Sequence, residues 1–335
     1  MKWSLGIDTS NYTSSIALTD EEGKIVGDLR KLLPVPEGQT GLRQQEAFFH
    51  HVQNLPILLE KMFRDLPPRA STHIKTIAVS TRPRPIEGSY MPVFTAGASL
   101  ARSLSTLLSV PLYMYSHQEG HLRAAMVGKT AKICAVPAFG FFHFSGGTTE
   151  ALLVEKKRIR KIGGSLDISL GQLLDRLGGL AGFPFPSGSY LDAIAYRYLL
   201  EQKEQGRDLA TLHRISRKVL PSVKVHDVAC NLSGLETAVK KQWKTMPEDQ
   251  RPLLIASLFL LLSDLIRALA AALAAKTGVH IFLLAGGVSA SRTLRRIFEE
   301  EETPDLLFSF SDPHLSSDNA VGVALLGGEE AVCKL

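Results

Sequence analysis

The sequence predicts an α/β protein with two lobes, each built on a mixed sheet. Three features predict it. The first is a pattern that occurs twice: "WSLGIDTSNYTSSIALTDEEGKIVGDLRK" near the start and "FGFFHFSGGTTEALLVEKKRIRKIGGS" near the middle. Both run apolar strand, small polar turn, apolar strand, short turn, strand. The second is that each copy is followed by helical sequence with further short strands, such as "IKTIAVS" at 74–80. The third is "IFLLAGGVSASRTLRRIFEEE", a buried strand over 281–285, the pair Gly286–Gly287, and a helix beginning near Ser289. Short strands joined by hairpins and then crossed by helices give mixed α/β sheets, one per lobe. Two matching copies predict a duplicated nucleotide-binding architecture with a cleft between the lobes.

The turns carry the chemistry of such a fold. Ser, Thr and Gly at a hairpin tip expose backbone N–H groups and hydroxyls that suit phosphate oxygens, although the same residues also make ordinary tight turns. A strand, Gly-Gly and helix N-terminus is a place for an anion, weaker than a Walker loop because no G-K-[ST] follows. The segment 253–278, "LLIASLFLLLSDLIRALAAALAAKTG", is long and apolar enough to raise a membrane span. Asp264 and Arg267 near its middle, Pro252 at its first turn, and Lys276 with Gly278 at its end make it a buried core helix instead.

Composition agrees. The 335 residues are 45% hydrophobic and 21% charged, enough for two cores. A net charge of +5 suits nucleic acid, nucleotide or other anionic partners, and many ordinary proteins share it. Cys134, Cys230 and Cys333 are far apart and form no C-x-x-C, which argues against a disulfide framework or a thiolate zinc site. Three buried thiols in a reducing cytoplasm are expected. "MKWSLGIDTS" has no long apolar run, so no secretion signal is expected either.

"SHQEGHLRAAM", residues 116–126, places His117 and His121 at i and i+4, one above the other on a helix face. Two imidazoles so placed can grip one metal ion, though the spacing also arises by chance. It is not H-E-x-x-H, since Glu119 is the middle residue and turns away from both histidines.

These loops, in this order with HQEGH between them, resemble the TsaD family, bacterial proteins also named glycoproteases and grouped as peptidase M22-like. The marks are His117–His121 as H-x-E-G-H, Ser145–Gly147 as S-G-G, "LLDRLGGLAGFPFPSGSYLD" (173–192), "LSGLET" (232–237), "AGGVSASRTLR" (285–295) and "SSDNA" (316–320). The resemblance covers nearly the whole chain, most weakly over 20–110. It implies the actin/Hsp70-like (ASKHA, ribonuclease H-like) fold, with residues 1–115 and a C-terminal helix 318–331 forming one lobe and 116–317 the other. The family forms threonylcarbamoyladenosine at position 37 of certain tRNAs from a threonylcarbamoyl-adenylate made by a separate enzyme. Carried over, His117, His121 and Asp318 are its metal ligands, and two imidazoles with one carboxylate leave positions open, as a catalytic zinc or iron requires. Ser145, Gly146 and Gly147 line the substrate site. Asp175 and Asp192 reach the ribose or adenine, Gly188 allows close approach, and Gly286, Gly287 and Ser291 lie at the nucleotide, ATP or an acyl-adenylate. Without the family, Asp175 reads as an exposed helix carboxylate beside Arg176.

The sequence also departs from that pattern. In the first loop, "DTSNYTS", Asp8 keeps the first acidic place and is the candidate catalytic residue, but Tyr12 and Thr13 stand where the family has an Asp-Glu pair. A phenol and a hydroxyl are not general bases at neutral pH without strong pKa depression. Thr148 replaces a histidine, Ser291 an asparagine and Glu236 a lysine, and "TRPRPIEGSY" (81–90) replaces a Gly-Pro-Gly loop. A divergent paralogue is expected: a metal-dependent transferase that binds nucleotide, with tRNA or a different acceptor. Alternatives are a non-catalytic subunit that pairs with another actin-like chain or with itself, and a hydrolase. Basic clusters "KKRIRK" (156–161), "HRISRK" (213–218), "KKQWK" (240–244) and "RTLRR" (292–296) permit tRNA, while Trp243 is expected to pack on its own helix.

Overall fold

A computed structural model describes residues 1–10, 12–36, 41–128, 136–156 and 158–333. Asn11 of the first loop, Cys134, and Lys157 of the first basic cluster lie outside the described residues. The chain divides into two compact units, Met1–Val127 with Leu315–Leu335, and Gly128–His314.

The first unit begins with β1 (Trp3–Thr9), β2 (Thr13–Asp20) and β3 (Ile25–Leu32), continues with α1 (Gln44–Arg64), β4 (Ile74–Arg82), α2 (Phe94–Leu108) and β5 (Leu112–Ser116), and reaches α3 (His117–Ala125). The second holds β6 (Ala138–Phe144), β7 (Thr149–Glu155), β8 (Arg158–Ser165), α4 (Leu170–Leu180), α5 (Gly188–Glu204) and α6 (Leu209–Val219). After these come β9 (Val225–His226), β10 (Ala229–Cys230), α7 (Ser233–Thr245), α8 (Arg251–Thr277), β11 (Ile281–Ala285), α9 (Arg292–Glu300) and β12 (Leu307–Phe310). The short α10 (Pro313–Ser316) precedes the return to the first unit as α11 (Val321–Cys333).

The first sheet has the order β3-β2-β1-β4-β5, and the second runs β12-β11-β6-β7-β8-β10-β9. In the first, β1 pairs antiparallel with β2 and β2 with β3, while β4 and β5 add parallel. In the second, β6, β7 and β8 form the same antiparallel run, and β11 and β12 add parallel. Thus β3-β2-β1-β4-β5 and β8-β7-β6-β11-β12 are one topology used twice, and the sequence repeat is a structural repeat.

Strand alternation explains how each face is covered. Leu5, Ile7, Ile16 and Leu18 point to one face of the first sheet, where they pack with Leu55, Leu58 and Met62 of α1. Gly6 and Ala17 point to the other, against Ala320 and Ala324 of the C-terminal segment. In the second unit Phe142, Phe144 and Phe282 join the buried face of α8. Glu248–Thr277 is long and apolar enough to cross a membrane, and 78% of its most apolar window is buried inside the protein. Its two mid-helix charges have protein partners: Asp264 meets Arg217 at 3.0 Å and His213 at 3.1 Å, and Arg267 meets Glu301 at 3.2 Å. It is a core helix, started by Pro252 and ended at Gly278 as expected. Cys230 is buried too.

One expected boundary moves. A single 3-10 turn spans Gly287–Ala290, and α9 starts at Arg292 because Ser291 caps it, accepting from Leu294 N at 3.1 Å.

Candidate functional site

In the first unit β5 runs directly into α3 through a capping box. Ser116 N donates to Glu119 Oε2 at 2.7 Å, and Glu119 N donates to Ser116 Oγ at 3.2 Å. The middle residue of HQEGH is therefore committed to starting its own helix. That start places His117 in the first turn and His121 one turn on, with their Nε2 atoms 3.0 Å apart and ring centroids 4.4 Å apart. Asp318 arrives from the segment before α11, with Oδ1 3.2 Å from His121 Nε2 and 3.4 Å from His117 Nε2.

Two local devices bring Asp318 there. Asn319 caps α11: its Oδ1 accepts from Val321 N at 3.0 Å, and its Nδ2 donates to Ser317 O at 2.8 Å. Gly322 lets α11 cross α3, since a Cβ on it would stand 1.8 Å from Gly120 O. Arg30 Nη1 also donates to Ser317 Oγ at 3.1 Å.

Behind this cluster lies Asp8 at the end of β1, 1% exposed. Its Oδ2 is 2.8 Å from His117 Nδ1 and accepts from Ser80 Oγ at 2.5 Å, while its Oδ1 accepts from Ser10 N at 3.0 Å. Ser10 Oγ donates to Asp318 Oδ2 at 2.7 Å. Asp8 thus engages the far side of the His117 ring, the arrangement by which a carboxylate orients a ligating imidazole.

The charges follow from this geometry. Burial works against a proton on His117, but the Asp8 and Asp318 carboxylates overcome it and push the pKa up to about 10. Burial, with His117 beside it, lowers that of His121. Burial opposes ionisation of Asp318 as well, yet hydrogen bonds from both histidines hold its carboxyl well below the usual range. The three ligand atoms lie within 4.8 Å of one another, and two imidazoles with one carboxylate suit a divalent zinc or iron. The residues present fit such an ion.

Thr13 is buried at the start of β2, and Tyr12 presents its hydroxyl to the position of Gly41.

In the second unit, β6 and β11 are adjacent parallel strands, so the loops after them share one end of the sheet, the usual ligand end of such folds. Ser145, Gly146, Gly147 and Thr148 form the first loop, closed by Thr148 N to Ser145 Oγ at 3.1 Å. Gly286 and Gly287 begin the second, and Gly286 must be glycine: φ is 94°, and a Cβ would sit 2.3 Å from Phe144 O. Gly146, Gly147 and Gly287 have open space where a side chain would be.

The predicted carboxylates here are already engaged. Asp175 is buried rather than an exposed partner of Arg176; it accepts from Ser187 N at 2.8 Å at the start of α5, and burial raises its pKa. Arg176 pairs with Glu236 at 2.7 Å. Asp192 takes Ser291 Oγ, Thr293 N and Arg292 N at 2.5, 3.0 and 3.0 Å, and so anchors the start of α9. Gly188 opens α5, with only Leu174 Cδ1 near its Cβ position, at 4.0 Å. Trp243 is half-buried beneath the Arg251 guanidinium, 4.6 Å from its ring.

Reasoning from sequence missed Ser10, Ser80, Arg30 and Asn319. Asn319 alone had a readable signal, a capping residue directly before an apolar run.

Comparison with known proteins decides the family. The family profile described as TsaD, tRNA N6-adenosine threonylcarbamoyltransferase, matches residues 37–325. The chain belongs to this family. Proteins named tRNA N6-adenosine threonylcarbamoyltransferase are 27% identical in Methanopyrus kandleri, over 96% of this chain and 86% of theirs. Another from Aromatoleum aromaticum is 28% identical over 98% of this chain and 91% of its own. Among solved structures, component A of (R)-2-hydroxyglutaryl-CoA dehydratase from Acidaminococcus fermentans matches with a TM-score of 0.55 at 14% identity, covering 99% of this chain and 100% of that one. Full-length HypF matches with a TM-score of 0.57 at 12% identity, covering 98% of this chain and 46% of that one. These likenesses show the fold, the duplicated α/β fold of the actin/Hsp70-like class.

Proposed function

We propose that the chain is a metal-assisted, nucleotide-binding transferase of the threonylcarbamoyl type, acting on an adenosine amine of tRNA from an acyl-adenylate. The observation that carries this reading is the convergence of His117, His121 and Asp318, with Asp8 behind His117. A divalent ion on these three residues supplies Lewis acidity toward a phosphate or acyl oxygen. Asp8 orients His117, Ser10 holds Asp8 and Asp318 in register, and Glu119 keeps the histidines one helical turn apart. In the second unit the Ser145–Gly147 and Gly286–Gly287 loops offer backbone N–H groups to the nucleotide phosphates. Asp175 and Asp192 shape that site through the helix starts they hold rather than through free oxygens.

One observation favours a second reading, a binding-only partner subunit. The two acidic residues beside the histidines that sequence singled out, Asp8 and Glu119, are engaged: Asp8 is 1% exposed and Glu119 is in the capping box. The same engagement of Glu119 weighs against a hydrolase.

The test is metal analysis and an ATP titration of the purified chain beside His117→Ala, with rescue of cells lacking their own tRNA threonylcarbamoyl transferase. One ion lost in the variant, ATP binding and rescue are expected. Neither ion nor nucleotide would sink the transferase; binding without rescue would move the reading to the partner subunit or another acceptor.

A further inference from the structure

The loop after β6 spends its carbonyls within the protein. Thr148 O accepts from Ser145 N at 2.9 Å, and Gly146 O accepts from Ser169 Oγ, the cap of α4, at 2.5 Å. Ser145 O lies against Gly171 in the first turn of α4, where a Cβ would stand 2.5 Å from it. The donors of the loop are not spent in the same way. Among the described residues, neither Gly146 N nor Gly147 N meets an acceptor. The side chains add a further donor. Ser145 Oγ and Thr148 Oγ1 are 2.6 Å apart, and Ser145 Oγ also accepts from Thr148 N at 3.1 Å. Each hydroxyl has one proton to give and can accept as well. The bond between the two oxygens uses one of their two protons. Whichever oxygen donates in that bond, the proton of the other has no acceptor among the described residues. The count does not depend on the direction of the bond. A hydroxyl that accepts a hydrogen bond is also polarised toward giving its own proton. Ser145 and Thr148 are half-buried, and Gly146 and Gly147 leave open space beside them. Donors without acceptors, on a turn without a charged side chain, suit a group that only accepts, such as an ionised phosphate oxygen.

We propose that Ser145 and Thr148 act together as one hydrogen-bond donor to a phosphate oxygen of the nucleotide, which makes Thr148 a ligand-binding residue of the S-G-G loop. The proposal rests on the nucleotide reading above. Thr148 stands where the family pattern has a histidine, whose ring nitrogens donate or accept according to tautomer and protonation. The hydroxyl pair always leaves a donor. It is also redundant: either hydroxyl left alone still has a proton to give, so only the loss of both removes the donor.

The experiment is an ATP titration of the full chain and of Ser145→Ala, Thr148→Val and the double variant, with thermal unfolding of the nucleotide-free proteins alongside. The expected result is at least one single variant within about 3-fold of wild type and a double variant about 10-fold or more weaker, at similar melting temperatures. The loss in the double variant should exceed the product of the two single losses, because each single variant keeps a donor. Ser145→Cys with Thr148→Val keeps an acceptor for Thr148 N but offers only a weak donor, and it keeps the test open if the first double variant does not fold. It is expected to weaken ATP by about 3-fold or more. Single losses that multiply to the double loss, or affinities that fall in step with melting temperature, overturn the proposal alone. So does wild-type affinity in every double variant that folds, or a loss in both single variants as large as in the double. A wild-type chain that binds no ATP overturns the nucleotide reading and this proposal together.

Discussion

The two units use one strand topology and put different chemistry at its ends. At the end of β1 of the first stands Asp8, after β5 His117, and the returning C-terminal segment adds Asp318; His117, His121 and Asp318 bring ligand atoms within 4.8 Å of one another, with Asp8 2.8 Å from His117. After β6 and β11 of the second stand Ser145–Gly147 and Gly286–Gly287, loops without a charged side chain. Their carboxylate neighbours, Asp175 and Asp192, are turned to helix starts. The difference teaches that duplication supplied a scaffold with strand ends in equivalent places. On the reading proposed above, one copy carries side chains that suit a cation and the other bare backbone that suits an anion.

The comparison can be broken most severely at the α3–α11 crossing. Gly322→Val should cost about 3 kcal/mol or more, read as a lower denaturant midpoint, because backbone meets backbone and neither helix can yield locally. A variant as stable as wild type would mean that the crossing does not position Asp318. Next in size is Asp8→Asn, which keeps a hydrogen-bond acceptor for His117 but removes the charge. Metal affinity should fall about 10- to 100-fold by competition with a chelator, with the fold intact. An unchanged affinity would return Asp8 to a role in chemistry rather than orientation.

A smaller effect follows from pH. His117, with its pKa pushed up to about 10, carries a proton at neutral pH, and a cation must displace it. Metal affinity should therefore rise with pH, by about tenfold per unit between the ordinary histidine value and the raised one, and level off above it. A flat profile would show that Asp8 and Asp318 do not hold that proton. Smallest in stability, and sharpest as a contrast with Gly322, are Gly146→Ala and Gly147→Ala. Each new methyl enters open space, so unfolding should shift by no more than about 1 kcal/mol while ATP binding weakens. If binding persists, the S-G-G loop is only a turn.

HQEGH, S-G-G and G-G-V were legible because each is local: a spacing on one helix, or a turn between two strands. The hairpin repeat was legible for the same reason, and so was α8, whose caps and mid-helix charges stand in the sequence. Asp318 entered only through family resemblance, because no local pattern ties a residue to partners nearly two hundred positions away. The helix starts that Asp175 and Asp192 hold were not legible for a related cause: a carboxylate on a helix looks the same whether it faces solvent, a nucleotide or the start of another helix. Asp175 and Asp192 were assigned to ligands, whereas the structure engages both at helix N-termini, as it does Glu119.

By itself the amino-acid order determined the strands, the helices, the duplicated plan and the helical pairing of His117 with His121, all set by periodicity and turn chemistry over a few residues. Only the tertiary structure decided that α3 belongs with the first unit and α11, that Asp318 closes the histidine pair, and that Asp8 and Ser10 stand behind it. Those relations depend on which backbones approach most closely, as at Gly120 and Gly322, and close approach is a property of packed elements rather than of neighbours in sequence.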